Sequence, residues 1–173
     1  MKDYLLDTNI AGHYAEYKLG IKNEHTLAIK THIEKIDPKS KIAFCTITVG
    51  EMEYGLKVAP IKNKEDIKKL CEFIFDKQIF DIDRNVGKNY YSELKAKLFE
   101  KYSDKNDRKN MHRISQWKSP IDFEPLGIQI NDIWIASVAM CYNLILVTND
   151  KMNRIQDAIK DELEIEDWLK PVL

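Results

Sequence analysis

Apolar residues fall into two rhythms along this chain. Short uninterrupted runs, at Leu5-Leu6, Ile42-Ala43-Phe44-Cys45 and Leu144-Ile145-Leu146-Val147, read as strands buried on both faces of a parallel sheet, and Ile79 to Ile82, broken by Asp81, reads as a further short strand. The segments between them repeat every three or four residues. Asn9 to Lys18 and about Asn23 to Ile36 predict two helices, the second with Ile29, Ile33 and Ile36 on one face and Asp37-Pro38 as its stop. Val49, Met52 and Leu56 predict a third, closed by Pro60, and Ile67, Leu70, Cys71, Ile74 and Phe75 form the clearest stripe in the chain. Val86, Tyr90, Leu94, Leu98 and Tyr102, spaced by four, predict a helix from Asn85 to about Tyr102 whose apolar face turns slowly around the axis. Between Ser103 and Asn131 the period weakens while Lys, Arg, Asp, Asn and Pro accumulate, which predicts a polar extension and then a loop. Order returns with Ile133, Ala136, Ser137, Met140 and Cys141 on a buried helix. The Leu144 strand, a short helix after Asp150 and an acidic tail ending in Trp168 complete the pattern.

Strands alternating with helices predict parallel βαβ units with right-handed crossovers, so the class is α/β with helices on both faces of the sheet. The length of 173 residues suits one domain, residues 1–173, carrying a basic extension around 101–125. Apolar residues at 44% and charged residues at 32% mark a globular chain, and no stretch approaches the length a bilayer requires. Met1-Lys2-Asp3 leads directly into a strand without a cleavable apolar leader, so a cytoplasmic location is expected. Cys45, Cys71 and Cys141 have neither CxxC spacing nor a His cluster and read as reduced core residues. A net charge of −1 excludes an overall polycation and leaves room for a local basic face.

Acids stand where these strands end or the next helices begin. Asp7 follows Leu5-Leu6, Glu51 follows the run from Ile42 to Thr48, Asp132 precedes an apolar helix, and Asp150 follows Leu144 to Val147. Each has an ordinary structural explanation. Asp7 is a good N-cap, Thr48-Val49-Gly50-Glu51 has capping-box spacing, Asn131-Asp132 can cap the following helix, and Thr148-Asn149-Asp150 is good turn chemistry. A cap needs one acid per helix, whereas an open parallel sheet brings the residues just past its strands together at one carboxyl edge. Carboxylates gathered there repel, and a hard divalent cation relieves the repulsion. An all-oxygen donor set favours Mg²⁺ or Mn²⁺ over zinc. Metal-assisted hydrolysis of a phosphodiester is the chemistry implied, with Thr8, Asn9, Asn131 and Thr148 as neutral groups that orient ligands or waters.

These stretches resemble the motifs of the PIN domain family and, within it, of VapC-type toxins of bacterial toxin–antitoxin pairs. Leu5-Leu6-Asp7-Thr8-Asn9-Ile10 is similar to the opening strand and first acid, and Thr46-Ile47-Thr48-Val49-Gly50-Glu51-Met52-Glu53-Tyr54-Gly55 to the second motif. Asn131-Asp132-Ile133-Trp134-Ile135-Ala136 resembles the third and Leu146-Val147-Thr148-Asn149-Asp150 the fourth, in the family's order. The resemblance implies an α/β/α sandwich around a central, mostly parallel, twisted sheet of about four to five short strands. It also implies a Mg²⁺-dependent endoribonuclease whose metal is held by Asp7, Glu51, Asp132 and Asp150, acting on RNA, forming a homodimer and blocked by a small antitoxin protein. Two features depart from the pattern. Arg154 stands near the place where the family often has Phe, and the stretch from Lys101 to about Pro125 is longer than the connection usual in compact members.

That longer stretch carries Lys101, Lys105, Arg108, Lys109, Arg113 and Lys118 against Asp104 and Asp107, with Tyr102, His112 and Trp117 interleaved. Such a mixture suits RNA: Lys105, Arg108, Lys109 and Arg113 are expected to meet phosphates, and an aromatic to stack on an unpaired base. A solvated helix face is the plainer alternative. The tail, with Asp157, Asp161, Glu162, Glu164, Glu166 and Asp167, is expected to stay off RNA while Trp168 and Leu169 dock it on the core. An aspartyl-phosphate phosphatase would need a second acid two residues after Asp7, where this chain has Asn9. A receiver domain would want a Lys near the last strand, and none precedes Lys151 there. The remaining alternative is a non-catalytic PIN-like module that binds RNA or a protein.

Overall fold

The computed structural model of the chain describes residues 2–103, 114, 117–118, 125–150 and 152–170. It forms two compact units, each assembled from separate stretches of sequence. The first comprises the chain up to Asp81 together with Asn143–Asn149 and the residues from Glu164 on; the second comprises Ile82–Tyr142 and Asp150–Leu163.

The first unit holds a sheet of five parallel strands: β1 (Tyr4–Leu6), β2 (Ile42–Cys45), β3 (Ile79–Phe80), β4 (Ile145–Val147) and β5 (Ile165–Glu166). Their spatial order is β3-β2-β1-β4-β5, so the first strand lies in the middle and the chain crosses past it once, between β3 and β4. Tyr4 pairs with Ile42 on one side and Ile145 on the other, and Leu6 pairs with Val147. Because side chains alternate along a strand, this register lines up Tyr4, Leu6, Phe44, Ile145 and Val147 on one face. Against that face pack Ile10, Ala11, Tyr14 and Ala15 of α1 (Thr8–Lys18), Ile29 of α2 (Glu24–Ile33) and Ile74 of α4 (Lys64–Phe75). The helix α3 (Thr46–Val58) follows β2 without a break. Trp168 is fully buried in the same core, 5.2 Å from the Tyr4 ring and stacked on His32, and its indole N–H donates to Glu166 Oε2 at 2.7 Å. The tail is therefore docked as the sequence predicts. Cys45, Cys71 and Cys141 are free thiols, and burial pushes each of them up from its ordinary pKa.

The second unit is helical among its described residues. It contains a π-helical turn at Val86–Tyr91, α5 (Ser92–Tyr102), α6 (Ile130–Cys141) and α7 (Asn153–Ile159). The π turn accounts for the unusual four-residue spacing. On a regular α-helix each step of four drifts by about 40°, whereas a turn closed from Ser92 N–H back to Gly87 C=O, five residues away, lets Val86 and Leu94 stay buried together. Tyr102 and Trp117, expected as aromatics available to RNA, are 3% exposed each. Trp117 meets Phe99 edge-on at 5.6 Å, and the Tyr102 hydroxyl donates to the Asp157 carboxylate. Both aromatics are core residues: Tyr102 stands one helical turn after the buried Leu98, and Trp117 packs on Phe99 of the same helix. No helix among the described residues is long and apolar enough to cross a membrane.

Lys101 also serves this core, its Nζ lying 2.7 Å from Asp157 Oδ2 and 2.8 Å from the Asp157 carbonyl. Burial, reinforced by Asp157, pushes the Tyr102 phenol up to about 12. Hydrogen bonds from Lys101 and then Tyr102 hold the Asp157 carboxyl below its ordinary 3.8. A carboxyl lowered on folding contributes stability above its unfolded pKa and loses it as the pH falls through the folded one. Asp157→Asn is therefore expected to lower the thermal midpoint at about pH 7 and to match the wild type at about pH 2, followed by circular dichroism. An equal deficit at both values would remove this linkage.

Candidate active site

Asp7 is the first residue beyond β1, at the carboxyl edge of the sheet. The parallel pairing of Leu6 with Val147 brings the next residue of each strand alongside, which sets Asp7 beside Thr148. Asp7 N–H bonds the Val147 carbonyl at 3.0 Å, and Thr148 Oγ1 donates to Asp7 Oδ2 at 2.8 Å. The other carboxylate oxygen, Oδ1, accepts from Thr8 N–H at 2.6 Å as the chain turns into α1. Asp7 is 4% exposed and Thr148 1%. The acid is thus both the cap of α1, as one expectation had it, and a carboxylate fixed in orientation by two donors.

Glu51 does not serve as a cap. α3 begins at Thr46, directly after β2, so Thr48 is already within the first turn and Glu51 lies beyond reach of the cap. Instead the Thr8 hydroxyl donates to the Glu51 carboxylate, and Thr48 Oγ1 lies 3.5 Å from the Leu6 carbonyl. Thr8 thereby touches both acids of this unit, its amide on Asp7 and its hydroxyl on Glu51. Asn9 is exposed on the same turn. His13, further along α1, bonds Glu16 through Nδ1 at 3.2 Å and lies against His25.

Asp132 and Asp150 belong to the second unit and line one cavity of about 110 Å³ with Gly127, Ile128, Gln129, Met152 and Ile155. Asp132 is the third residue of α6, with Asn131 before it, and its Oδ2 accepts from the backbone N–H of Gln129 at 2.7 Å. The cap position is held by Gln129, not by Asn131 or Asp132. Gln129 is the partner that sequence reading missed, although an acid three residues after a helix start is the usual signal for this bond. Asp150 is exposed at the turn after β4, its carbonyl accepting from Met152 N–H at 2.8 Å. Arg154 holds its guanidinium 5.8 Å from the centre of the Tyr102 ring.

Each unit therefore carries two of the four acids. Within either, the described residues include no group of three or more His, Cys, Asp or Glu side chains that could hold a metal ion. All four donors are carboxylates flanked by hydroxyl and amide groups, the hard oxygen chemistry that suits Mg²⁺ or Mn²⁺. Lys105, Arg108, Lys109 and Arg113 lie outside the described residues.

The model of the PIN domain family matches residues 4–158. Ribonuclease VapC2 of Rickettsia felis is 27% identical over 169 residues, covering 96% of this chain and 98% of that protein. The crystal structure of VapBC2 from Rickettsia felis, bound to a DNA fragment from their promoter, superposes with a TM-score of 0.65 at 26% identity, over 95% of this chain and 98% of that one. VapBC-1 of nontypeable Haemophilus influenzae shares the fold, with a TM-score of 0.62 at 21% identity over 96% and 98% of the two chains.

Replacing Thr148 with Val keeps its shape and removes the hydroxyl that Asp7 accepts. A buried hydrogen bond to a carboxylate lost in this way costs about 1–3 kcal/mol, so Thr148→Val is expected to lower the urea midpoint at unchanged slope while Thr148→Ser stays near wild type. A wild-type midpoint for Thr148→Val would show that Asp7 does not depend on this donor.

Proposed function

Because the chain belongs to the PIN domain family, we propose that it is a metal-dependent endoribonuclease and the toxin of a toxin–antitoxin pair. The observation that carries this reading is Asp7: a buried carboxylate, oriented by two donors, at the carboxyl edge of a parallel sheet. Support comes also from the similarity along nearly the whole chain to a protein named ribonuclease VapC2. Asp7, Glu51, Asp132 and Asp150 are the residues we assign to Mg²⁺ or Mn²⁺. When bound, such an ion lowers the pKa of a coordinated water and stabilises charge developing on a phosphodiester.

The chain's own residues prepare for that task. Thr8 and Thr148 restrict the rotation of the Asp7 carboxylate, and Thr8 ties Glu51 to the same turn. Gln129 N–H fixes one oxygen of Asp132 and leaves the acid in a small cavity shared with Asp150. Groups held in place before the substrate arrives do not have to be ordered during reaction. Asn131 and Asn9 are the remaining neutral groups that we assign to orienting water or ligand.

The partners we propose are an RNA substrate, a small antitoxin protein and a second copy of the chain, all in the cytoplasm. For the antitoxin, the first unit offers a groove of about 600 Å³ along α1 and α2, lined by Tyr17, Ile21 and Leu27 among others. Leu27 is 64% exposed and Ile21 45%, an apolar surface of the kind that another protein covers. For RNA, we assign Lys105, Arg108, Lys109 and Arg113 to phosphates.

Asp132→Asn removes a ligand charge at nearly constant shape. It is expected to slow Mg²⁺- or Mn²⁺-dependent cleavage of RNA by about a hundredfold or more and to leave the circular dichroism spectrum unchanged, with EDTA abolishing wild-type cleavage. Equal cleavage by both proteins, or binding of RNA without any metal-dependent cutting, would turn the reading to a non-catalytic module. Replacing Arg108 and Lys109 together with Ala is expected to weaken RNA binding and to flatten its salt dependence by about one unit of slope per lost phosphate contact. An unchanged slope would take the arm off the RNA.

A further inference from the structure

In the second unit, the π turn packs against the first half of α6 through two aromatic rings. Tyr91 and Trp134 stack with centroids 3.7 Å apart and planes inclined by 12°. Gly87 in the same turn lies beside the indole, where a Cβ would stand in ordinary van der Waals contact, 3.9 Å from Trp134 Cη2. Lys95 donates to the Tyr91 hydroxyl at 3.2 Å and holds its ammonium 5.4 Å from that ring's centre. Lys88 and Asn89 are exposed on the turn.

Three features separate this pair from the core aromatics. Trp168 and Trp117 are buried, whereas Trp134 and Tyr91 are both half-buried. The indole N–H of Trp168 donates to Glu166, while that of Trp134 has no acceptor among the described residues and is not shut away from solvent. The turn that presents Tyr91 is π-helical, a geometry that recurs at functional sites. A flat, partly open aromatic stack with a free donor and lysines at its rim has the chemistry of a seat for an unpaired nucleobase, which offers a π face, hydrogen-bond acceptors and an adjoining phosphate.

We propose that Tyr91 and Trp134, with Lys88 and Lys95, form a base-binding seat for single-stranded RNA, a specificity element that rests on the nuclease reading above. Two residues along an α-helix turn its direction by about 200°, so Trp134 leaves α6 on the side away from Asp132. The seat thus takes a base of the strand away from the reacting phosphate and acts on affinity and sequence choice, not on the chemical step.

The test is binding of the full chain, in EDTA, to a ten-nucleotide unstructured RNA and to a fully paired RNA duplex, read by tryptophan fluorescence and by anisotropy of end-labelled RNA. The single strand is expected to quench the wild type, with Trp117 and Trp168 as a constant background. Trp134→Ala is expected to bind the single strand about tenfold more weakly and the duplex unchanged, the loss of one stacked base. Trp134→Phe, which keeps a ring, is expected to bind within about twofold of wild type with its quenching lost, as a conservative ring exchange allows. In cleavage with Mg²⁺, Trp134→Ala should raise KM and spare kcat. Wild-type affinity of Trp134→Ala for the single strand overturns the seat, as does an equal loss for strand and duplex. If Trp134→Ala does not fold, the pair Lys88→Ala and Lys95→Ala together with the quenching comparison decides, and unchanged single-strand affinity and undiminished quenching in Trp134→Phe overturn it. Cleavage that persists alongside such a result leaves the nuclease reading intact. Binding and quenching without cleavage would sink that reading and keep the seat.

Discussion

One pairing in the sheet governs the rest: Leu6 against Val147, parallel and in register. It sets the residue after β1 beside the residue after β4, and so gives Asp7 the Thr148 hydroxyl as a neighbour. A slip of one residue would turn Tyr4 and Leu6 off the core formed with α1, α2 and α4. The apolar face therefore holds the acid's position as firmly as the hydrogen bonds hold its orientation. Burial of Phe44, Ile145 and Trp168 on the same side is, in this sense, part of the site's construction.

The strands and the four acids were legible because each leaves a mark in the chain itself. A strand buried on both faces must be apolar throughout, which Ile42-Ala43-Phe44-Cys45 and Leu144 to Val147 are, and an acid at such a strand's end has few neighbours to confuse it. What the chain conceals is which distant group answers each polar atom. Glu51 has perfect capping-box spacing from Thr48, yet the helix starts two residues earlier and its carboxylate is met by Thr8, forty-three positions away. Tyr102 and Trp117 stand among basic residues and look available, but Asp157 and Phe99 come from other segments to cover them. β5 has only two residues, too few for any period, and is a strand because β4 offers it an edge.

The second unit shows another limit of pattern reading. Four-residue spacing from Val86 to Tyr102 fits a helix, and a helix is there, but the spacing also records a π turn that a smooth helix would not need. The same turn sets Tyr91 flat against Trp134. Periodicity reports which residues are inside. It is silent on partly open rings, whose value depends on what lies across from them.

The middle of the sheet consists of the chain's first strand held between one from the early part of the sequence and one that arrives about 140 positions later. A ribosome making this protein has therefore released β1, β2 and most of both units' helices before the strand that bears Thr148 exists. Until then the Val147 carbonyl and the Thr148 hydroxyl that Asp7 will use are absent, and the apolar edge of β1 stays uncovered. Closing a loop of that size is slow compared with forming a helix. The order of synthesis then acts as a delay: the acid is made first and the groups that orient it last.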